Sequence, residues 1–276
     1  MTGPGHFPLL PRKKNTDKKN YGHTLVLAGS PSTRGAAILT AQGALVSGSG
    51  LVTLGTPKSL QSYFSKKALA ETMFLGLPET KNQTLSLAAF DPIQQFIQKR
   101  RVTCIALGPG LSREPQTMVL VRKLVNRLSC PIVLDADGLN SFEKKTKELK
   151  AHAGSLVLTP HAGEFKRLFG KCEVTKKLSK LYDFVLVLKG HRTRVIERNN
   201  IYVNKTGNPG MAKGGSGDVL TGMIAAFISQ GLAPFEAAKF GVYYHGLAGD
   251  LAEKEKGELS LSASDLIDYL PKIWAG

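Results

Sequence analysis

Short apolar runs, each closed by glycine, proline or a polar cluster, recur along this chain. They are His23-Thr24-Leu25-Val26-Leu27-Ala28, Gly50-Leu51-Val52-Thr53-Leu54-Gly55, Thr103-Cys104-Ile105-Ala106-Leu107, Pro131-Ile132-Val133-Leu134, Ser155-Leu156-Val157-Leu158 and Phe184-Val185-Leu186-Val187-Leu188. Runs without polar alternation predict strands buried on both faces, the habit of a parallel sheet. Helical spacing fills the gaps between them. Gly35 to Ser47 reads as a small-residue helix, Pro92 to Lys99 as a second, and Pro115 to Leu128 as a third with Val121, Leu124, Val125 and Leu128 on one face. Asp137 and Asn140 either cap a helix from Ser141 to His152 or, with Asp135, hold a metal or polar substrate groups. A further helix is expected from Phe235 to Glu253, with Tyr243, Tyr244 and His245 as core or subunit packing. The last begins at the S-x-x-D pattern Ser262-Ala263-Ser264-Asp265 and runs through Tyr269. Strands alternating with helices imply βαβ units and an α/β fold with a mainly parallel sheet.

Two stretches depart from this rhythm. Thr193 to Glu197 and Ile201 to Val203 predict an antiparallel pair joined at Arg198-Asn199-Asn200. From Thr56 to Thr84 the periodicity is weak and yields only helix fragments around Ser59 to Ala70. Residues Met1 to Tyr21 are polar, basic and proline-bearing, and predict an extended arm. With no repeat or linker in view, residues 1–276 read as one domain.

Composition narrows the function classes. Hydrophobic residues make up 42% of the 276 positions and charged residues 21%, enough for a core and too few charges for disorder. No apolar run nears the roughly 18 residues of a membrane span, and Met1 to Pro11 lacks a secretory pattern. Cys104, Cys130 and Cys172 are odd in number and lack metal or redox spacing, as expected of buried thiols in a reducing cytoplasm. The net charge of +16 admits a polyanionic partner. Its basic clusters lack the interleaved aromatics of a stacking platform, so neither nucleic acid nor membrane is expected, and phosphorylated small molecules fit better.

The chemistry concentrates in Asn208-Pro209-Gly210-Met211-Ala212-Lys213-Gly214-Gly215-Ser216-Gly217-Asp218, followed by a buried helical run from Val219 to Ile228. Glycines opening a helix leave N–H groups and a partial positive charge free for an anion. Gly214, Gly215, Ser216 and Gly217 therefore form a candidate anion hole. The stretch fits neither the P-loop pattern nor the dinucleotide fingerprint. Asp218 either caps the helix or stands as a carboxylate beside a bound phosphate, suited to deprotonating a hydroxyl that attacks a phosphoryl group. Other candidates lie at strand ends, where α/β folds place ligands. A lone histidine is more often structural, but His161 follows Pro160 at such an edge, with Glu164 close behind. Lys189-Gly190-His191-Arg192-Thr193 offers cations and a glycine turn for a nucleotide.

Seven blocks in this order resemble the NAD(P)H-hydrate dehydratase family, nucleotide-dependent repair enzymes with the ribokinase-like fold. They are Tyr21-Gly22-His23 leading to Ala28-Gly29-Ser30, then Gly35-Ala36-Ala37, Gly108-Pro109-Gly110-Leu111 and Asp135-Ala136-Asp137. Thr159-Pro160-His161-Ala162-Gly163-Glu164, Leu188-Lys189-Gly190 and Asn208 through Gly222 follow. The resemblance spans nearly the whole chain and implies a three-layer α/β/α sandwich. It implies dehydration of hydrated NADH and NADPH driven by ADP or ATP with Mg²⁺, the ion reached through water near Asp135 or Asp137. Lys189, Gly190, His191, Arg192, Thr193 and Gly217 should touch the adenine nucleotide. Ala37, Gly110, His161 and Asp218 should touch the hydrated dinucleotide, with Asp218 as the base. Some family members carry a hydrate epimerase domain ahead of this one; the sequence begins about where the dehydratase part would, so that domain is not expected here. The segment from Gly170 to Phe184 is short for the family. A tetramer is the expected assembly, and a small-molecule kinase of the same fold, acting on a vitamin precursor or sugar, is the alternative activity.

Overall fold

The computed structural model describes residues 12–170 and 183–275. All its strands join one sheet of nine, ordered β3-β2-β1-β4-β5-β6-β7-β8-β9. The strands are β1 (His23–Leu27), β2 (Leu51–Pro57), β3 (Met73–Leu77), β4 (Cys104–Leu107), β5 (Ile132–Leu134), β6 (Leu156–Leu158), β7 (Val185–Leu188), β8 (Arg194–Glu197) and β9 (Asn200–Val203). β1 to β7 pair in parallel, and β8 and β9 return antiparallel at one edge. The helices are α1 (Arg34–Val46), α2 (Gln61–Ser65), α3 (Phe90–Arg100), α4 (Pro115–Arg127), α5 (Ala136–Asn140), α6 (Ala162–Phe169), α7 (Ser216–Ser229), α8 (Pro234–Ser260) and α9 (Ala263–Ala275).

Side chains alternate across each strand, and the two sheet faces bury different partners. Leu25, Leu27, Ile105, Leu107, Ile132 and Leu134 pack against α3 and α4 residues such as Ile93, Leu120 and Leu124. Val26, Ala28, Val52, Cys104, Ala106 and Val133 pack on the other face against Ala41, Ile224, Ala225 and Phe240 of α1, α7 and α8. The result is the expected three-layer α/β/α sandwich. Tyr244, beside the Trp274 ring at 4.7 Å, is core packing rather than exposed surface. Among the described residues, no helix is long and apolar enough to cross a membrane.

The α1–α7 contact fixes the helix that carries Asp218. At Gly222 the two backbones approach so closely that a methyl group would run into the Thr40 carbonyl oxygen. Only a residue without a side chain permits that seam.

Several expectations need correction. Lys18–Tyr21 is a 3₁₀ turn rather than extended chain, capped by Asp17, whose carboxylate accepts from the Lys19 N–H at 2.6 Å. Arg12 stacks over the buried Tyr21 ring at 4.3 Å and donates to the Gly48 carbonyl at 2.9 Å, so this part of the arm is docked. Residues 1–11, Cys172 and most of the stretch between Gly170 and Phe184 lie outside the described residues. β3 was not foreseen. The helix expected over Ser141 to His152 is instead the short α5 followed by a 3₁₀ segment, Thr146–Ala151. Asp137 sits inside α5 and caps nothing. The helix that holds Tyr243 extends to Ser260, with a break in helical geometry at Gly257.

Candidate active site

Backbone and short side chains stitch the C-terminal ends of the parallel strands together. The Gly29 N–H donates to the Pro109 carbonyl at 2.9 Å. Thr33 Oγ1 donates to the Gly110 carbonyl at 2.7 Å, which joins the loop after β1 to the loop after β4. Lys189 N–H donates to the Pro160 carbonyl at 2.9 Å, and an isolated parallel bridge pairs His161 with Lys189. The motif blocks after β1, β4, β5, β6 and β7 thus form one rim, and the N-terminus of α7 faces it.

A charged cluster occupies the centre of that rim. Asp135, buried at 1% side-chain exposure, accepts from Lys189 Nζ at 2.7 Å. Its other oxygen accepts from Thr221 Oγ1 at 2.7 Å. Glu164 Oε2 lies 4.0 Å from the same ammonium. Burial pulls the Lys189 pKa down, but the charges of Asp135 and Glu164, the hydrogen bond to Asp135 and the charge of Asp218 hold it above its ordinary value. Asp218 is pushed the other way. Burial first, then the Asp135 charge, raise its pKa to about 7 against the pull of Lys189, with Glu164 and Asp137 adding to the rise. A carboxyl that titrates near neutrality is matched to proton transfer.

Asp218 is the third residue of α7, and the N-cap is Gly215 with no side-chain capping bond, so the capping alternative for Asp218 does not hold. Gly215 takes φ +97°, and a methyl there would sit 2.5 Å from Leu39 Cδ1. No acceptor among the described residues takes the N–H of Gly214, Gly215, Gly217 or Asp218. The Lys189 ammonium lies over this helix start, 3.1 Å from where a Cβ on Gly217 would be. Free N–H groups, a cation and a near-neutral carboxyl therefore meet at one point, as an anion that must receive or lose a proton requires.

The other candidates are placed as follows. His161 is the N-cap of α6. Its Nδ1 accepts from the Gly163 N–H at 2.9 Å, so Nε2 carries the proton, and the Glu164 side chain accepts from the His161 N–H at 2.8 Å. More than half of the imidazole stays exposed toward the rim. Ala37 is fully buried beneath the loop after β1, while Gly35 at the first turn of α1 is exposed. His191 and Arg192 are exposed in a turn closed by Thr193 Oγ1, which donates to the Gly190 carbonyl at 2.9 Å. Sequence reading overlooked Thr221, Thr33 and the position of His245. His245 is buried, its Nε2 is 2.8 Å from the Ser216 carbonyl, and burial, against that bond, lowers its pKa to about 4.

Among the described residues no metal cage is built in. Asp135 has both oxygens engaged, and Asp137 accepts from the Ser112 N–H at 2.9 Å and from the Asn140 amide at 3.2 Å. Among the described residues no group of three or more His, Cys, Asp or Glu could hold a metal ion. This donor set fits an ion held mainly by ligand phosphates and water, as Mg²⁺ commonly is.

Comparison with known proteins identifies the lineage. The chain is 43% identical over 275 residues to the bifunctional NAD(P)H-hydrate repair enzyme Nnr of Moorella thermoacetica, covering 96% of this chain and 51% of that relative. The chain thus spans about half the length of the curated relatives it matches. Among solved structures, the ADP/ATP-dependent NAD(P)H-hydrate dehydratase of Bacillus subtilis, co-crystallised with ATP/Mg²⁺, superposes with TM-score 0.78 at 30% identity, covering 96% of this chain and 92% of that one. A ribokinase-like superfamily protein of Enterococcus faecalis aligns with TM-score 0.80 at 24% identity over 96% of this chain and 90% of its own, which places the fold. The family model for NAD(P)H-hydrate dehydratase matches residues 24–272, a span that includes every block around the rim, and the chain belongs to that family.

Proposed function

We propose that this chain returns hydrated NADH and NADPH to NADH and NADPH at the expense of ADP or ATP. The observation that carries the reading is Asp218, a carboxyl raised to about 7 by burial and by Asp135, in the first turn of a helix whose N–H groups are open to an anion. Hydroxide leaves a reduced ring poorly, so the hydroxyl must first be converted to a better leaving group. Ionised Asp218 takes the proton of the ring hydroxyl, whose oxygen attacks the terminal phosphoryl of the nucleotide. The bond from that phosphorus to the rest of the nucleotide breaks, and the shortened nucleotide leaves. Gly214 to Gly217 N–H groups and the Lys189 ammonium hold the charge on the phosphoryl oxygens.

In the second stage the ring nitrogen electrons expel phosphate with the former hydroxyl oxygen. The neighbouring ring carbon gives up a proton, and the double bond of the dihydronicotinamide returns. Mg²⁺ would screen the nucleotide phosphates, reached through water near Asp135 or Asp137. Lys189 through Thr193 serve the nucleotide. Gly110, His161 and the first turn of α1 serve the dinucleotide, Ala37 through its backbone because its side chain is buried.

The test is stoichiometry. Phosphate release from the nucleotide should require hydrated NADH and match, one for one, the NADH recovered. Phosphate release without NADH recovery, or a stable phosphorylated product, would sink the reading.

A further inference from the structure

We propose that His245 is a positioning residue for Asp218, holding the first turn of α7 in register through the Ser216 carbonyl. The inference rests on the dehydratase reading for its kinetic part only. Its structural part stands on the way α8 grips the glycine-rich segment.

α8 holds that segment at both ends. At the leading end, Asn204 Nδ2 donates to the Val242 carbonyl at 3.0 Å and Thr206 Oγ1 donates to the Tyr243 carbonyl at 2.8 Å. Asp250 accepts from the Gly207 N–H at 2.9 Å and from Asn208 Nδ2 at 3.1 Å. At the trailing end, His245 Nε2 lies 2.8 Å from the Ser216 carbonyl. Among the described residues this is the one hydrogen bond from α8 to residues 214–218. Because a carbonyl only accepts, Nε2 carries the proton and the tautomer is fixed.

The need for such a hold follows from the local sequence. Gly214, Gly215 and Gly217 allow many backbone conformations, and no side chain caps the helix start. Ordering that backbone costs conformational entropy that some contact must offset. Ser216 is the buried residue at the centre of the turn, its own hydroxyl donating to the Met211 carbonyl at 2.9 Å. Asp218 lies two residues further on. Moving its carboxylate by about 1 Å would cost on the order of 10²-fold in rate while leaving ligand contacts elsewhere intact.

The test compares His245→Phe, which keeps the ring and removes the donor, with His245→Gln, whose amide N–H reaches about as far as Nε2–H. One readout is backbone amide exchange of Ser216 and Val219, whose N–H groups donate to the Lys213 and Gly215 carbonyls at 3.4 and 3.2 Å, and it needs no turnover. The other is kcat and KM with hydrated NADH and nucleotide. His245→Phe should exchange these amides at least about tenfold faster and lose about 10–100-fold in kcat, with both KM values within about threefold. His245→Gln should restore both. If His245→Phe does not fold, His245→Asn, whose amide falls short of Ser216, takes its place with the same expectations. Unchanged exchange and kcat in the donor-less variant, or equal loss in His245→Gln, would overturn the proposal. Inactive wild-type protein would overturn the dehydratase reading instead, leaving the exchange comparison to decide on His245.

Discussion

Replacing Asp218 by Asn separates what the carboxylate does for catalysis from what it costs the fold. In the unfolded chain the carboxyl ionises near 3.8, and in the folded protein at about 7. Below pH 4 it is neutral in both states, so the wild type and Asp218→Asn should be equally stable. As pH rises from 4 to 7 the unfolded chain has lost a proton that the folded protein still holds, and wild-type stability falls. The loss is complete just above pH 7. At 1.36 kcal/mol for each tenfold step in the ionisation constant, it amounts to about 4 kcal/mol. The Asn variant has no such slope. For a chain of this size each kcal/mol moves Tm by about 2–4 °C, so the variant should melt about 8–16 °C above wild type at pH 8 and level with it at pH 4. Over the same substitution kcat should fall by about 10²–10⁴ while nucleotide affinity stays nearly unchanged. Melting by circular dichroism across the pH range, beside steady-state kinetics, reads both. A variant no more stable than wild type at pH 8, or one that keeps more than about a tenth of the turnover, would refute the assignment of Asp218 as a charge-strained base.

Three further outcomes are expected. Since Asp218 works ionised, kcat/KM should fall about tenfold per pH unit below about 7, and a profile flat down to pH 5 would place the base elsewhere. Lys189→Met leaves Asp135 buried without its cation, so it should lose about 3–5 kcal/mol of stability and move the acidic limb above pH 7, because Lys189 is what holds the Asp218 pKa down. An acidic limb that stays in place would show the two groups to be uncoupled. Gly222→Ala should force α1 and α7 apart at Thr40 and lower stability by about 1–3 kcal/mol, measured by denaturant melting, and an unchanged midpoint would contradict the close seam.

Much of the fold was legible because buried parallel strands advertise themselves. β1, β4, β5 and β7 are continuous apolar runs closed by glycine or a carboxylate, and those signals survive any tertiary context. β3 was missed for the opposite reason. It lies next to β2 at the sheet edge and is mostly half-buried, so Met73-Phe74-Leu75-Gly76-Leu77 carries no clean period. The helix expected after Asn140 failed because tertiary bonds override local ones. Asp135 and Asp137 spend their carboxylates on Lys189, Thr221, Ser112 and Asn140 rather than on a cap, and Ala136 turns with φ +48°. The site shows the same division. Asp218 and its glycines form one contiguous stretch and could be read directly. The pairing of Asp135 with Lys189 and Thr221 joins residues 54 and 86 positions apart, and no local pattern records it. His245 read as core or subunit packing, and within this chain it is buried; its bond to Ser216 belongs to the arrangement of α7 on α8.

The most direct test of the central claim is absorbance in the reduced-nicotinamide band when the protein meets hydrated NADH, Mg²⁺ and either ADP or ATP. The band should rise with at least one nucleotide, stay flat without nucleotide, and rise far more slowly with Asp218→Asn. A flat trace with both nucleotides, from folded protein that still binds them, would contradict the dehydratase assignment.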